Sequence, residues 1–246
     1  MTDEEAQRAM SRKSRRTFLI GGASAIAGYG GWRWLRSRPE AGGVAYPFRR
    51  AHEFNEQLSR AYFSDARLVQ TFPRERGGMP RVNGVIGMED NFDAAAWTLQ
   101  VEGTEGAPEK LTLNLDDIRA LPRTEMVTEL KCIEGWSEIG YWAGARFADF
   151  AARYASAARS GYVSLETPGG GYYVGLDIES ALHPQTLLCY EMNGAPLTAE
   201  HGAPLRLYVP VKYGIKSLKR IGTIRFTNER PRDYWAEQGY DWYSGH

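Results

Sequence analysis

Metal-ligating residues are scarce in this chain of 246 residues, which holds two cysteines and four histidines. Neither Cys132 nor Cys189 has a second Cys or His at C-x-x-C or H-x-x-x-H spacing. That absence excludes a zinc site or an iron–sulfur cluster held by the protein alone. An excess of one charge is also missing: 30 Lys and Arg balance 30 Asp and Glu. A general polyanion-binding surface is therefore excluded and no nucleic-acid partner is expected, although local basic clusters are not. Beyond the first forty residues no apolar run is long enough to span a bilayer. Internal repeats, low-complexity tracts, and haem or flavin motifs are absent as well.

What remains is a chain long enough to bury a proper core, as one large domain or two small ones. Its charge is unevenly spread. Residues 1–50 hold ten basic and four acidic residues, leaving twenty basic and twenty-six acidic residues for the body. Ser14-Arg15-Arg16-Thr17-Phe18-Leu19-Ile20 sets paired arginines before a short apolar stretch ending near Ala27. A charged region followed by an apolar one describes an export signal, and the Arg-Arg-x-Phe-Leu pattern resembles the twin-arginine type. Trp32-Arg33-Trp34-Leu35-Arg36 stands where a small-residue cleavage site would be expected and would suit a membrane interface, so an uncleaved anchor is a second reading. Residues 1–40 are assigned to this signal or anchor, and residues 41–246 to a single catalytic domain.

Along the body, Pro47, Phe48, Phe54, Leu58 and Tyr62 predict a helix with one apolar face. Residues 69–92 read as a long functional loop. Alternation predicts strands around 97–101 and 111–115, and a short helix runs from Asp116 towards Pro122. Residues 124–132 look extended and deliver Cys132 at a strand end; Phe147, Phe150 and Tyr154 fit a helix after the Cys loop. Further strands are expected at 161–167, 172–176, 186–192, 204–210 and 220–227. Many strands with few short helices argue for an α+β fold of mixed sheets.

Cys132 enters the Gly-containing loop Cys132-Ile133-Glu134-Gly135-Trp136-Ser137. A thiolate there is a soft ligand. Lacking companions, it requires either a metal carried by a cofactor with its own ligands or a disulfide to Cys189. The second option would make the chain a stapled exported binding module.

Cys-Ile-Glu-Gly-Trp-Ser with Trp142-x-Gly144 resembles the sulfite oxidase-like molybdopterin domain, and within that family the catalytic subunits of periplasmic methionine sulfoxide reductases. The likeness continues through Tyr162–Thr167, Ala181-Leu182-His183-Pro184, His201–Pro210 and Lys212–Lys219, and closes with Phe226-Thr227-x-Glu229-Arg230-Pro231. It covers about residues 80–235. It implies the sulfite oxidase-like molybdopterin-binding fold and a molybdenum–molybdopterin cofactor whose metal is ligated by Cys132. It also implies cofactor contacts at Asn83, Thr167, His201, Arg206, Lys212, Lys216, Ser217 and Lys219, with Asn91 competing with Asn83.

Physical reading of these residues runs in parallel. Leu205, Leu207 and Val209 should face the core, which projects Arg206 from the other side of its strand as a fork for phosphate or pterin. The Lys212–Lys219 segment can form a phosphate cradle, or equally a solvated edge. Glu134, two residues past the thiolate, is the candidate proton shuttle, particularly if burial raises its pKa; a salt bridge or hydrogen-bonded loop anchor is the other reading. His183 reads as a helix C-cap and Cys189 as a small core residue. Trp136 and Trp142 read as core with the option of walling the site. The aromatic tail Trp235, Tyr240, Trp242 and Tyr243 can pack on the core or meet a partner.

The resulting expectation is a monomeric periplasmic oxidoreductase, exported by the twin-arginine route, that reduces an S- or N-oxide such as methionine sulfoxide. A sulfite oxidase-type dehydrogenase is the alternative; the fifteen residues after Pro231 leave no room for the Ig-like dimerisation domain of sulfite oxidases. The resemblance implies a membrane haem-b subunit or a periplasmic cytochrome as the electron partner.

Overall fold

The computed structural model describes residues 3–41, 43–88, 92–103, 110–155 and 160–246. The chain divides into two compact units, Met1–Ala51 and His52–His246. In the first, helix α1 (Asp3–Arg36) takes up both the paired arginines and the apolar stretch, and a two-stranded ribbon follows, β1 (Glu40–Ala41) with β2 (Val44–Ala45). Phe18, Leu19, Ile20, Ile26, Tyr29, Trp32 and Trp34 are exposed on α1. Among the described residues no helix is long and apolar enough to cross a membrane. Helix α2 (Tyr46–Tyr62) begins where Pro47 predicts and continues into the second unit.

The second unit contains two five-stranded sheets. One runs β4 (Lys110–Leu113), β3 (Leu99–Glu102), β12 (Thr223–Thr227), β7 (Tyr162–Glu166), β8 (Tyr173–Asp177). Its β3–β12 pair is parallel and the others antiparallel, so the sheet is mixed. The other runs β10 (Ala195–Pro196), β9 (Leu187–Met192), β6 (Ser137–Arg146), β5 (Arg123–Lys131), with β11 (Arg206–Tyr208) also paired to β9. The helices are short: α3 (Leu115–Arg119), α4 (Phe147–Tyr154), α5 (Ile178–Leu182) and α6 (Tyr234–Glu237). Asn114 starts α3 with a capping box, accepting from the amides of Asp116 and Asp117 while Asp117 accepts from Asn114 N–H.

Strand periodicity places the core. Leu99 and Val101 from the mixed sheet meet Leu188, Leu205, Leu207 and Val209 from the antiparallel one, with Phe147 and Phe150 of α4 between them. Alternation sends Arg206 and Tyr208 to the opposite face, where Tyr208 stacks on Trp142 at 4.9 Å beside Cys189 and Met192. Cys189 is a fully buried core residue and His183 closes α5, both as expected. The two cysteines are free, so the disulfide reading is corrected.

One strand escapes sequence reading altogether. No strand was expected between the Cys132 loop and the Phe147 helix, yet β6 lies inside its sheet between β9 and β5. Its Gly140 and Gly144 carry the usual signature of a loop. At Gly144 the strand instead bulges against β9, and a Cβ would sit 2.0 Å from the Leu188 carbonyl oxygen.

The C-terminal residues are drawn back onto this framework by two buried lysines. Lys216 donates to Asp233 and to the Gly175 carbonyl, and its ammonium lies over the Trp242 ring. Lys212 donates to Asp177 at 3.2 Å and lies over Tyr243, while its backbone bridges to Gly245. Burial pushes the Lys212 ammonium down to about 7 despite Asp177, and Asp177 is held low by Lys212 in spite of its own burial. Lys216→Met, which strands the Asp233 carboxylate, is expected to cost about 3–5 kcal/mol. Lys110→Met, in an exposed pair with Glu102, should cost less than about 1 kcal/mol. Urea unfolding of both variants measures the contrast.

Candidate active site

β5 and β6 form a hairpin whose register runs from Arg123↔Ala145 to Lys131↔Ser137. Its tip is closed by Cys132 N–H donating to the Trp136 carbonyl at 2.9 Å and by Gly135 N–H donating to the Cys132 carbonyl at 3.2 Å. Gly135 has φ 86°, a left-handed turn position that favours glycine. The chemistry-bearing residues thus sit on a strand-anchored tip rather than a free loop. Trp136 Nε1 donates to Glu134 at 2.8 Å, and Asn83 Nδ2 donates to the same carboxylate at 3.3 Å while lying 3.9 Å from Cys132 Sγ. Burial pushes the Cys132 thiol above the usual cysteine range, so its thiolate needs a positive partner.

Opposite the tip, β11 presents Arg206 in register with Cys189. Arg206 is 5% exposed; its guanidinium donates to the carbonyls of His201 and Ser217 and covers the Trp142 ring at 4.6 Å. Its Nε, and Nε1 of Trp142, are buried with no hydrogen-bond partner. Lys219 donates to the Gly84 carbonyl at 3.0 Å, and burial together with Arg206 pushes its ammonium down to about 8. Among the described residues neither cation has a carboxylate ion-pair partner.

These groups line one cavity of about 200 Å³ that also receives Arg81, Ile86, Ile133, Tyr172, Trp235 and Tyr240. A larger cleft of about 870 Å³, lined by Leu58, Tyr62, Leu68 and Lys131 among others, lies elsewhere in the unit. The smaller cavity is the better candidate because it unites a thiol, two cations without a carboxylate partner and two unused buried N–H donors. Unsatisfied buried donors are costly and call for a ligand. The residues therefore fit an anionic, hydrogen-bonding cofactor with a thiophilic metal.

Of the residues expected from sequence, Asn83, Cys132, Glu134, Arg206, Ser217 and Lys219 come together here. The remaining four do not line the cavity. Lys212 and Lys216 are turned away into their aspartate pairs, which leaves Ser217 and Lys219 of the expected segment on the cavity lining. His201 commits both ring nitrogens, to Thr198 at 2.8 Å and to the Pro80 carbonyl at 2.9 Å. It anchors the loop before Asn83 and has no donor left for a ligand. Thr167 engages the Tyr172 backbone and is 2% exposed, supporting a cavity wall from behind. Glu134 is exposed instead of buried, and two donors hold it. Asn91 lies outside the described residues. Arg81, Tyr172, Trp235 and Tyr240 were not foreseen in the cavity; the clustered aromatics near the C-terminus were the available signal.

Residues 86–235 match the family described as oxidoreductase molybdopterin binding domain. The chain belongs to that family. A protein of Azospira oryzae provisionally named protein-methionine-sulfoxide reductase subunit YedZ1 is 34% identical over 195 residues, spanning 78% of this chain and 73% of its own. The protein-methionine-sulfoxide reductase catalytic subunit MsrP of Xanthomonas campestris pv. campestris is 37% identical over 155 residues, 57% of this chain and 48% of that relative. This chain therefore spans about half the length of the Xanthomonas protein. The crystal structure of the sulfane dehydrogenase SoxCD from Paracoccus pantotrophus superimposes with a TM-score of 0.51 at 17% identity, over 57% of this chain and 40% of that one. The sulfite oxidase-like α+β fold, the molybdopterin cofactor and the oxidoreductase class are thereby borne out.

Anion binding in this cavity is expected to depend on pH through Lys219. The free ammonium loses its proton near pH 8, whereas a bound anion favours keeping it. Affinity is therefore full below about 8 and falls as pH rises through that value. Sulfate keeps a constant charge over this range, so its binding to cofactor-free protein by equilibrium dialysis reads Lys219. A flat profile would remove Lys219 from the binding set, and Lys219→Met should abolish the slope.

Proposed function

We propose that this molybdopterin oxidoreductase reduces an organic S- or N-oxide in the cell envelope, with methionine sulfoxide the substrate suggested by the names of its relatives. The observation that carries the reading is the pair of unused buried donors, Arg206 Nε and Trp142 Nε1, in the cavity that holds Cys132. The overall change takes sulfoxide, two protons and two electrons to thioether and water. Bound molybdopterin supplies a metal able to change oxidation state by two electrons.

The protein's own residues bind, orient and manage protons. The Cys132 thiolate is the proposed protein ligand to molybdenum. Arg206, Ser217 and Lys219 hold the pterin and its phosphate; Ser217 Oγ accepts from Val209 N–H at 3.1 Å and keeps its own proton to donate. The Asn83 amide steadies the cofactor beside the thiol. Glu134, within reach of Asn83 and Trp136 and open to water, is the proposed carrier of protons between solvent and the reacting oxygen. Tyr172 and Trp136 narrow the cavity against water.

Export by the twin-arginine route, a leader kept as an interfacial anchor, a monomeric state, and electron delivery from a membrane haem-b subunit or a periplasmic cytochrome complete the proposal. Trp32 and Trp34 lie under Arg36 and Arg38 at 5.8 and 4.4 Å, a pairing suited to a headgroup interface.

Metal analysis of holoprotein should find about one molybdenum per chain, as a single thiolate site requires. Cys132→Ser should lose the metal or leave it inactive, while Cys189→Ala should retain both metal and activity. A dye-linked assay across a sulfoxide panel, run beside sulfite oxidation, decides the direction. Turnover of sulfite alone would replace the reductase reading with a sulfite dehydrogenase.

A further inference from the structure

The cavity at Cys132 is polar at its floor and aromatic at its mouth. Arg206 and Ser217 are each 5% exposed and Trp142 is fully buried, whereas Tyr240 is 42% exposed. Tyr240 and Ile133 also border a neighbouring surface depression with Tyr213, Asp241 and Ser244, which places them where the cavity opens. Trp235 packs edge-on against Tyr240 at 5.2 Å and against Tyr234 at 5.4 Å; Tyr234 in turn meets Tyr172 at 5.4 Å. Trp136, from the Cys132 tip, adds a further indole to the lining.

This wall is rigidly mounted. Asp233 caps α6 by accepting from Ala236 N–H at 3.0 Å, and its other oxygen takes the Gly175 amide and the Lys216 ammonium. Trp235 therefore lies two residues after a buried aspartate held by three donors. An aromatic residue fixed at a mouth but left accessible presents its ring to whatever enters.

Charge at the mouth disfavours an anion. Arg81, the cation there, pairs with Glu138 at 3.8 Å and stacks on Trp136 at 4.9 Å. Glu134 adds a further carboxylate with no cation facing it among the described pairs, and Asp241 borders the adjoining depression. With Arg206 and Lys219 given to the cofactor and Arg81 to Glu138, a small oxyanion such as sulfite finds no free cation at the mouth, whereas a neutral sulfur group finds π faces and apolar edges.

We propose that Trp235 and Tyr240 are the specificity-determining residues of this site, forming an aromatic wall that selects a neutral, apolar organic sulfoxide over a charged oxyanion. The inference rests on the reductase reading for its substrate, but the wall's affinity for a thioether can be measured without turnover. Holoenzyme is compared as wild type, Trp235→Ala, Trp235→Phe, Tyr240→Ala and Tyr240→Phe, each with molybdenum content and melting temperature recorded. Two quantities are read: KM and kcat for dimethyl sulfoxide, N-acetylmethionine sulfoxide methyl ester and methyl phenyl sulfoxide, and the equilibrium affinity for N-acetylmethionine methyl ester.

Trp235→Ala should weaken binding of N-acetylmethionine methyl ester and raise KM for the two larger sulfoxides by about fivefold, the size of one sulfur–aromatic contact. kcat, metal content and dimethyl sulfoxide KM should change by less than about twofold. Trp235→Phe should restore most of the loss, Tyr240→Ala should act in the same direction, and Tyr240→Phe should be silent. The proposal is overturned if wild-type protein binds no thioether, if Trp235→Ala binds it unchanged, or if that variant loses molybdenum and so marks Trp235 as a cofactor contact. Weakened thioether binding in an enzyme that reduces no sulfoxide would support the wall and sink the reductase reading instead.

Discussion

A guanidinium buried without a carboxylate constrains everything around the site. Taking such a charge out of water costs several kcal/mol unless the surroundings replace its hydration. Here the replacement comes from two carbonyl oxygens, those of His201 and Ser217, and from the face of Trp142. Both carbonyls must therefore be turned inward. The chain before Arg206 meets that demand with a tight turn over Ala199–His201 that ends in Gly202 at φ 98°, where a Cβ would lie 2.8 Å from the Arg220 amide nitrogen. One guanidinium N–H still has nothing to bind. The strand, the glycine and the loop anchored by His201 thus build a socket with one donor still open to a ligand.

The basic residues between Lys212 and Lys219 show how one short segment can serve two purposes. A single turn over Gly214–Lys216 divides them. Lys212 and Lys216 point to Asp177 and Asp233 and hold the C-terminal residues in place; Ser217 and Lys219 point to the cavity. A buried ammonium with a carboxylate is neutral as a pair and offers little attraction to a phosphate. Without such a partner, Arg206 and Lys219 keep their field for a ligand. The binding and clamping roles are also connected, because the clamped segment carries Trp235 and Tyr240 to the mouth of the same cavity.

Elements with strong periodicity were legible in the sequence. The alternation of Leu205, Leu207 and Val209 placed Arg206 on the correct face, and the apolar spacing of Phe147, Phe150 and Tyr154 marked α4. β6 was not legible, since Gly140 and Gly144 read as loop unless one knows that the Trp142 ring crowds the first and β9 the second. His201 and Thr167 lie near the site in the chain but serve it from behind, because their polar atoms are used by Thr198, Pro80 and Tyr172. Sequence spacing reports that a donor is nearby, and cannot report that it is already taken.

The sequence by itself determined the chemistry available. It supplied one cysteine without companion ligands, an arginine opposite a core face, a run of cations, and the alternations that build two sheets. It also carried enough of the family's motifs to identify the cofactor. Tertiary structure decided which of those groups face the cavity and which are spent on each other. That choice depends on contacts between residues far apart in the chain, such as Lys216 with Asp233 and Gly175, or Lys219 with Gly84. Burial and pairing set whether a charge is free to act, and both exist only once the chain is folded.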